Sequence, residues 1–180
     1  MKIVVITGSH NRKGTSALLA DEFIKGAQAK GHEVFRFDAA FKNVHPCIGC
    51  LTCRRGEADC IFKDDMYELY PKIIEADVIA CVTPLYYHSY TAQLKTVIDR
   101  YYAKDKFLCG AKKKAILIVT GANPNEWVTN GITTTFDTSL KYLNWEDAGK
   151  ILAINCATID KIKNTNFPEL AYKLGLSLES

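Results

Sequence analysis

This sequence of 180 residues carries only a small excess of charge of one sign. Its 23 Lys and Arg residues and 20 Asp and Glu residues leave a net charge of +3. A nucleic-acid-binding domain is expected to carry a concentrated basic stripe instead. The one basic run, at residues 112–114, directly precedes an apolar segment and is interpreted as solvated residues before a strand. We therefore expect no nucleic-acid partner.

Long hydrophobic runs are also absent, although 48% of the residues are apolar. No stretch approaches the roughly 20 apolar residues of a transmembrane helix, and the start MKIVVITGSH is too short for the core of a signal peptide. We expect a cytoplasmic protein without a membrane partner. In a reducing compartment, its seven cysteines predict metal binding, redox chemistry or core packing rather than disulfides.

Three common motifs are missing. The phosphate-binding pattern G-x-x-x-x-G-K-S/T and the dinucleotide pattern G-x-G-x-x-G do not occur. The pattern G-x-S-x-G of serine hydrolases is absent too. The four histidines show no metal-binding spacing, and His45, two residues before a cysteine, is interpreted as a bystander. Nucleoside triphosphatases, dinucleotide-binding folds and serine hydrolases are therefore disfavoured.

What is present is a regular alternation of strand and helix patterns. Five short apolar segments predict strands at Ile3–Thr7, Glu33–Phe37, Val78–Thr83, Ala115–Thr120 and Ile151–Asn155. Four of them are nearly continuous in aliphatic residues, which is typical of parallel strands covered on both faces. Apolar periodicity predicts helices over residues 15–30, 64–75, 91–102, around 134–143, and from 168 onward. The pattern predicts one α/β domain, residues 1–180, with a doubly wound parallel sheet.

The loop after the first strand combines glycines with hydroxyl side chains. Residues 7–16 read TGSHNRKGTS and lead directly into a helix. Glycines allow a tight turn, and the N–H groups at a helix start point towards an anion. The loop therefore indicates a phosphate site, with flavin mononucleotide (FMN) as the candidate ligand. An ordinary turn between a strand and a helix is the alternative.

Four cysteines lie close together in a second irregular segment, residues 38–63. Cys47, Cys50, Cys53 and Cys60 form the pattern C-x2-C-x2-C-x6-C. Four thiolates are the usual ligands of an iron–sulfur cluster, and a [4Fe–4S] cluster is the favoured interpretation. Metal-free thiols come next. Zinc comes last, because its sites usually draw on two separated ligand pairs.

Three segments carry a resemblance to a known family. GSHNRKGTSALL is similar to the phosphate loop of the flavodoxin-like NAD(P)H-dependent FMN reductases, and TPLYYHSYTAQLKTVIDRYY is similar to their segment after the third strand. PCIGCLTCRRGEADCIFKDDM resembles the cysteine segment of their iron–sulfur flavoprotein branch. The order and spacing agree across residues 1–120.

The resemblance implies a flavodoxin-like five-stranded sheet of order 2-1-3-4-5 with FMN at the strand ends. It implies phosphate contacts from Ser9, Thr15 and Ser16, with Asn11 or Arg12 at the position of the family arginine. The ring would be lined by the loop after the third strand, with Tyr86 and His88 near it, and by the start of a third loop; these residues are Pro84, Leu85, Tyr86, Tyr87, His88, Thr120 and Gly121.

The resulting expectation is an FMN-dependent oxidoreductase that is reduced by NAD(P)H or a ferredoxin-like donor and passes electrons through a [4Fe–4S] cluster to a small-molecule or protein redox partner. The alternatives are a non-enzymatic flavodoxin-type electron carrier and a cluster-free flavin or quinone reductase. The resemblance also implies a homodimer or homotetramer. Asp64 or Asp65 is predicted to cap the second helix, and the Asp99–Arg100 pair is interpreted as shaping the third helix and a subunit contact. For Trp127, in the loop of residues 121–133, the sequence predicts no specific role.

Overall fold

The computed structural model describes residues 1–55 and 59–179 and contains a five-stranded, all-parallel sheet. The strands are β1 (Lys2–Thr7), β2 (Glu33–Asp38), β3 (Val78–Pro84), β4 (Lys114–Thr120) and β5 (Glu146–Ala153). Their order is β2-β1-β3-β4-β5. The predicted flavodoxin-like fold is confirmed. Three residues of the predicted cysteine-rich loop, 56–58, lie outside the described residues.

Helices connect the strands and cover both faces of the sheet. They are α1 (Thr15–Ala29), α2 (Met66–Glu75), α3 (Ala92–Asp99), α4 (Asp105–Leu108), α5 (Asn130–Leu143), α6 (Ile159–Lys163) and α7 (Phe167–Leu176). Short 3-10 segments occur at Ala39–Phe41, Thr52–Arg54, Arg100–Lys104 and Glu126–Thr129. Within the described ranges, no helix combines the length and the apolar character needed to cross a membrane.

The sheet has a separate hydrophobic core on each face. Along β1, Val4 and Ile6 pack into the core formed with α2, α3 and α5, while Ile3 and Val5 pack into the core formed with α1 and α7. Alternate residues of a strand point to opposite faces. A strand that is buried on both faces therefore needs apolar residues at every position, which explains the continuous aliphatic runs.

Helices α1 and α7 approach each other very closely on the second face. A Cβ atom added to Gly26 would collide with the Tyr172 backbone, and one added to Gly175 would collide with the Phe23 backbone. Both glycines are needed because they let the two backbones touch. The last helix is thereby fixed against the helix that begins at the glycine- and hydroxyl-rich loop.

Several predicted element boundaries differ from the observed ones. Strand β5 begins at Glu146 rather than Ile151, because its first residues lie at the exposed sheet edge and carry polar side chains. It ends at Ala153, and Asn155 already has a positive φ of 56°. Helix α5 begins at Asn130, four residues before the predicted start, in a threonine-rich turn without apolar periodicity. Helix α3 ends at Asp99 and continues as a 3-10 segment.

Candidate functional site

The loop between β1 and α1 forms one wall of a cavity at the carboxyl ends of the strands. The Asn11 N–H donates to Ser9 Oγ at 3.1 Å, and the Lys13 N–H donates to Asn11 Oδ1 at 3.0 Å. These bonds hold the loop in a tight curve before α1. The cavity has a volume of about 260 Å³, and we call it the β1-loop cavity; its lining residues are Ser9, Asn11, Gly14, Thr15, Ser16, Pro84, Tyr86, Ala157, Thr158 and Ile159.

A second cavity lies on the other side of the loop that follows β3. Its volume is about 290 Å³, and we call it the β3–β4 cavity; it is lined by Leu85, Tyr87, His88, Gly121, Ala122, Asn123 and Val128. The segment of residues 84–88 contributes to both cavities. Ligands of doubly wound sheets bind outside the carboxyl ends of the strands, and the two cavities occupy this position.

A tight turn shapes the segment between the two cavities. Tyr86 and Ser89 exchange two backbone hydrogen bonds of 3.0 and 3.2 Å. The two residues between them, Tyr87 and His88, have positive φ angles of 46° and 63°. Two successive positive φ values are the pattern of a type I′ turn, which normally contains Asn and Gly. The side chain of Tyr87 is fully exposed, so the turn carries backbone strain without any burial to offset it.

His88 is held in one tautomer by the neighbouring loop. Its Nδ1 lies 3.0 Å from the backbone carbonyl oxygen of Val128. A carbonyl oxygen only accepts hydrogen bonds, so Nδ1 carries the proton, and Nε2 of the neutral ring is left as an acceptor. The ring of Trp127 lies 5.1 Å from the ring of His88, and 59% of the Trp127 surface is exposed.

Most residues predicted to contact FMN line these two cavities, and two do not. Arg12 places its guanidinium 4.0 Å above the ring of Phe41 and is not among the lining residues. Thr120 is buried, and its hydroxyl accepts a hydrogen bond of 3.1 Å from the hydroxyl of Thr15. Thr120 therefore supports a lining residue instead of lining the cavity itself.

The sequence analysis missed several lining residues. Residues 157–159 follow β5 and close the β1-loop cavity, and Asn123 follows β4. These residues could have been predicted as lining residues from their position just after the end of a strand. This position was obscured for residues 157–159 because the end of β5 was predicted two residues too late.

The four motif cysteines line a third cavity. Cys47, Cys50, Cys53 and Cys60 line a small cavity of about 20 Å³ together with apolar side chains that include Ile48, Leu51 and Phe62. We call this space the cysteine cavity. Across residues 1–55 and 59–179, no three His, Cys, Asp or Glu side chains are spaced to hold a single metal ion. All seven cysteines are free thiols.

The thiols of the cysteine cavity differ in their surroundings. Burial raises the pKa of Cys53 above its ordinary value of 9.0. A hydrogen bond from the Thr52 hydroxyl lowers the pKa of the more exposed Cys50. Thiolates rather than thiols bind metals, so Cys50 is the more readily ionised of these two ligand candidates.

A buried ion pair closes the base of the cysteine cavity. Arg100, at the end of α3, donates from Nη1 to Asp64 Oδ2 at 2.7 Å and from Nη2 to Asp64 Oδ1 at 3.2 Å. Nη1 also donates to the His45 backbone oxygen at 2.8 Å. His45 precedes the four motif cysteines and Asp64 follows them. Arg100 therefore connects both ends of the cysteine segment to α3. Asp64, rather than Asp65, accepts the Met66 N–H at the start of α2.

Comparisons with known proteins agree with this geometry. A sequence model of the NADPH-dependent FMN reductase family matches residues 1–141. An iron–sulfur flavoprotein of Archaeoglobus fulgidus is 34% identical over 130 residues, which are 71% of this chain and 59% of the relative. An iron–sulfur flavoprotein of Methanocaldococcus jannaschii is 37% identical over 100 residues, 56% of this chain and 51% of the relative. The chain thus spans little more than half the length of these relatives.

A solved structure supports the fold over the full chain. The NAD(P)H:quinone oxidoreductase from Methanothermobacter marburgensis superimposes with a TM-score of 0.76 at 17% identity, covering 99% of this chain and 96% of the other. At this identity the similarity supports the fold alone. The chain belongs to the NADPH-dependent FMN reductase family, and the predicted resemblance to its iron–sulfur flavoprotein branch is confirmed.

Proposed function

We propose that this protein is an FMN-dependent oxidoreductase that is reduced by NAD(P)H. The observation that carries the proposal is the pair of adjoining cavities at the carboxyl ends of the strands, lined by the loops after β1, β3, β4 and β5. One cavity is rich in hydroxyl and amide groups, and the other lies beside exposed aromatic rings. This division matches a ligand with a phosphate at one end and an aromatic ring system at the other.

The β1-loop cavity would hold the phosphate. The hydroxyls of Ser9 and Ser16 and the free N–H groups of the first turn of α1 supply hydrogen-bond donors, and the Thr15 hydroxyl would turn from Thr120 towards the anion. Ser9 Oγ already accepts a bond from the Asn11 N–H, so its proton is free to be donated to an anion. Asn11 shapes the loop, and Arg12 would add positive charge from outside the lining.

The β3–β4 cavity and the segment of residues 84–88 would hold the ring. FMN, when bound, supplies hydride acceptance and the release of electrons one at a time. Tyr86 and Tyr87 would flank the ring, with Pro84, Leu85 and Gly121 shaping its pocket. His88 would offer Nε2 as a hydrogen-bond acceptor at the rim, because Val128 holds its proton on Nδ1.

The four motif cysteines would hold a [4Fe–4S] cluster. A single zinc ion lies about 2.3 Å from each thiolate sulfur, so it needs four sulfurs drawn tightly around one point. Here the thiols instead surround a cavity, and the described residues form no single-ion site. The four cysteines of the C-x2-C-x2-C-x6-C pattern supply the usual ligand set of a polynuclear cluster, and the names of the curated relatives support this assignment.

A second copy of the chain would complete the ring site. Tyr87 is fully exposed and Trp127 is 59% exposed, although both lie beside the β3–β4 cavity. Burial of these rings in a homodimer or homotetramer would shield the flavin from water. The electron acceptor would be a small molecule or a redox protein, and a cytoplasmic location stays a prediction from the sequence.

Anaerobic purification followed by three measurements tests the proposal. We expect flavin absorbance with tight FMN binding, NAD(P)H oxidation in the presence of an artificial acceptor, and iron and sulfide at four atoms of each per cluster. The absence of FMN affinity would reject the oxidoreductase. FMN binding without NAD(P)H oxidation would indicate an electron carrier, and oxidation without iron and sulfide would indicate a cluster-free flavin or quinone reductase.

A further inference from the structure

We infer that Arg100 donates a hydrogen bond from its Nε atom to a sulfur of the group held in the cysteine cavity and thereby raises the reduction potential of that group. The inference rests on the proposed cluster. Arg100 lies outside the cysteine motif, at the end of α3. The inference gives this residue a redox role in addition to its structural one.

The first observation is the position of the side chain. Arg100 lines the cysteine cavity together with all four motif cysteines, and only 1% of its surface is exposed. A guanidinium at such a depth needs partners for its N–H groups, because a buried donor without a partner has lost its hydrogen bonds to water without replacing them. Asp64 and the His45 backbone satisfy Nη1 and Nη2.

The second observation is the donor that is left over. Nε of Arg100 is buried and has no hydrogen-bond partner among the described residues. One other buried side-chain atom in the described ranges shares this condition, the hydroxyl oxygen of Tyr101. More than nine in ten buried polar groups of native proteins are paired, so the unpaired Nε–H indicates an acceptor that binds later.

The walls of the cavity suggest what this acceptor is. Four of the lining residues are cysteines and most of the others are apolar. The carboxylate of Asp99, which also lines the cavity, is already paired with Lys95 at 2.6 Å. Among the residues that line the cavity, the acceptors left for Nε are therefore sulfurs, either of the thiolates or of the inorganic sulfides of a cluster.

A donor in this place has a defined effect on the electron chemistry. Reduction adds one negative charge to a cluster, and hydrogen bonds to its sulfurs are among the factors that set its potential. A fixed N–H donor stabilises the added charge without having to reorient. Arg100 thus favours the reduced state and makes the cluster a better electron acceptor.

The test compares the cluster potential in Arg100→Lys with that of the wild type by anaerobic redox titration. Lysine keeps the charge and can still pair with Asp64, but it lacks Nε. We expect the reduction equilibrium to shift about tenfold towards the oxidised state, which is about 59 mV for a one-electron couple. The matched control is Arg54→Lys, an exposed arginine of the cysteine segment whose Nη2 pairs with Asp105; its potential should stay at the wild-type value.

Equal potentials in the wild type and Arg100→Lys would overturn the inference. The absence of iron and sulfide from the wild type would reject the cluster and this inference with it, whereas the flavin-dependent oxidoreductase is judged separately by FMN binding and NAD(P)H oxidation. If Arg100→Lys fails to fold or to hold a cluster, wild-type protein labelled with 15N at arginine Nε decides. A magnetic coupling between this nitrogen and the reduced cluster, persisting in Arg54→Lys, supports the hydrogen bond, and the lack of any coupling refutes it.

Discussion

Arg100 and Asp64 form a two-point ion pair inside the protein, with side chains that are 1% and 2% exposed. The pair connects the end of α3 to the residue that caps α2, 36 positions earlier in the chain. Two hydrogen bonds in a shared plane fix both the distance and the orientation of the partners. The Arg100–Asp64 ion pair therefore fixes the cysteine segment, which has little regular structure of its own, to the end of α3.

Removal of one partner of this ion pair should destabilise the fold strongly. Asp64→Asn leaves the guanidinium buried without a counter-charge, and such a change costs about 3–5 kcal/mol. Urea unfolding of the apoprotein measures the loss. The control is Glu169→Gln, which breaks an exposed pair with Lys173 and should cost at most about 0.5 kcal/mol. A loss below about 1 kcal/mol for Asp64→Asn would contradict a structural role of the pair.

The ion pair also makes stability depend on acidity. Burial on its own raises the pKa of Asp64, but hydrogen bonds from Arg100 and from the His45 and Met66 N–H groups outweigh it and hold the pKa below the ordinary value of 3.8. The unfolded chain therefore binds the proton first. The contribution of Asp64 is fully present above about pH 4 and is lost as the pH falls through the lowered pKa.

Unfolding free energies measured between about pH 6 and pH 2.5 check this sign. We expect the wild type to lose more stability over this range than Asp64→Asn, because the variant no longer has the titrating group. Parallel curves for the two proteins would show that Asp64 does not contribute to the acid dependence.

The strained turn predicts opposite effects on stability and on flavin binding. Tyr87 has a φ of 46°, a conformation that costs an ordinary L-residue about 1–2 kcal/mol and that asparagine tolerates better. Tyr87 is fully exposed, so Tyr87→Asn removes no buried contact. We expect the unfolding free energy of the apoprotein to rise by about 1 kcal/mol while FMN affinity falls.

Tyr86→Asn is the matched control for this turn. Tyr86 is also a largely exposed tyrosine, but it is not among the residues with positive φ. Its replacement should weaken FMN binding without stabilising the apoprotein. Equal stabilisation by both substitutions would show that backbone strain at Tyr87 is not the cause.

The free hydroxyl proton of Ser9 predicts a phosphate-specific defect. Ser9→Ala should weaken FMN binding by about 1.5–3 kcal/mol, the typical value of a hydrogen bond to a charged group. Riboflavin has the same ring but no phosphate, so its affinity should not change. Ser177→Ala removes a hydroxyl that donates to the Leu174 oxygen far from both cavities and should affect neither ligand. Fluorescence titration of the wild type, Ser9→Ala and Ser177→Ala measures the affinity of each protein for FMN and for riboflavin.

Gly131, in α5, determines how closely this helix approaches the segment of residues 84–88. A Cβ atom on Gly131 would lie 2.6 Å from the backbone oxygen of His88. Alanine normally favours a helix over glycine by up to about 1 kcal/mol, so propensity alone predicts that Gly131→Ala stabilises the protein. We expect the reverse, a loss of about 1–3 kcal/mol from overpacking together with weaker FMN binding. Urea unfolding of the apoprotein and fluorescence titration with FMN measure the two effects. Thr135→Ala, one turn further along α5, serves as the control in both.

The parts of the structure that were predictable follow local rules. Continuous aliphatic runs identified β1, β3 and β4, since burial on both faces leaves no polar position in such strands. The start of β5 was missed because edge residues such as Glu146 face solvent. Helices α4 and α6, of four and five residues, are too short to show a periodic pattern.

The role of Arg100 was not predictable for a different reason. In sequence it stands beside Asp99 at the end of a helix, and the two were interpreted together as shaping that helix and a subunit contact. In the structure Asp99 pairs with Lys95 on the exposed side of α3, while Arg100 turns inward to Asp64. A partner 36 residues away leaves no trace in local spacing. Only the folded chain brings the cysteine segment to this arginine.

Helix α3 sets the distance between the loop after β1 and the cysteine cavity. At its start, the Thr91 hydroxyl donates to the Gly8 backbone oxygen at 2.9 Å, beside the phosphate loop. At its end, Arg100 reaches the base of the cysteine cavity. Nine residues at 1.5 Å each make this span about 14 Å. Because the span consists of hydrogen-bonded helix, thermal motion of the loops at either end leaves the separation of the two anchor points almost unchanged.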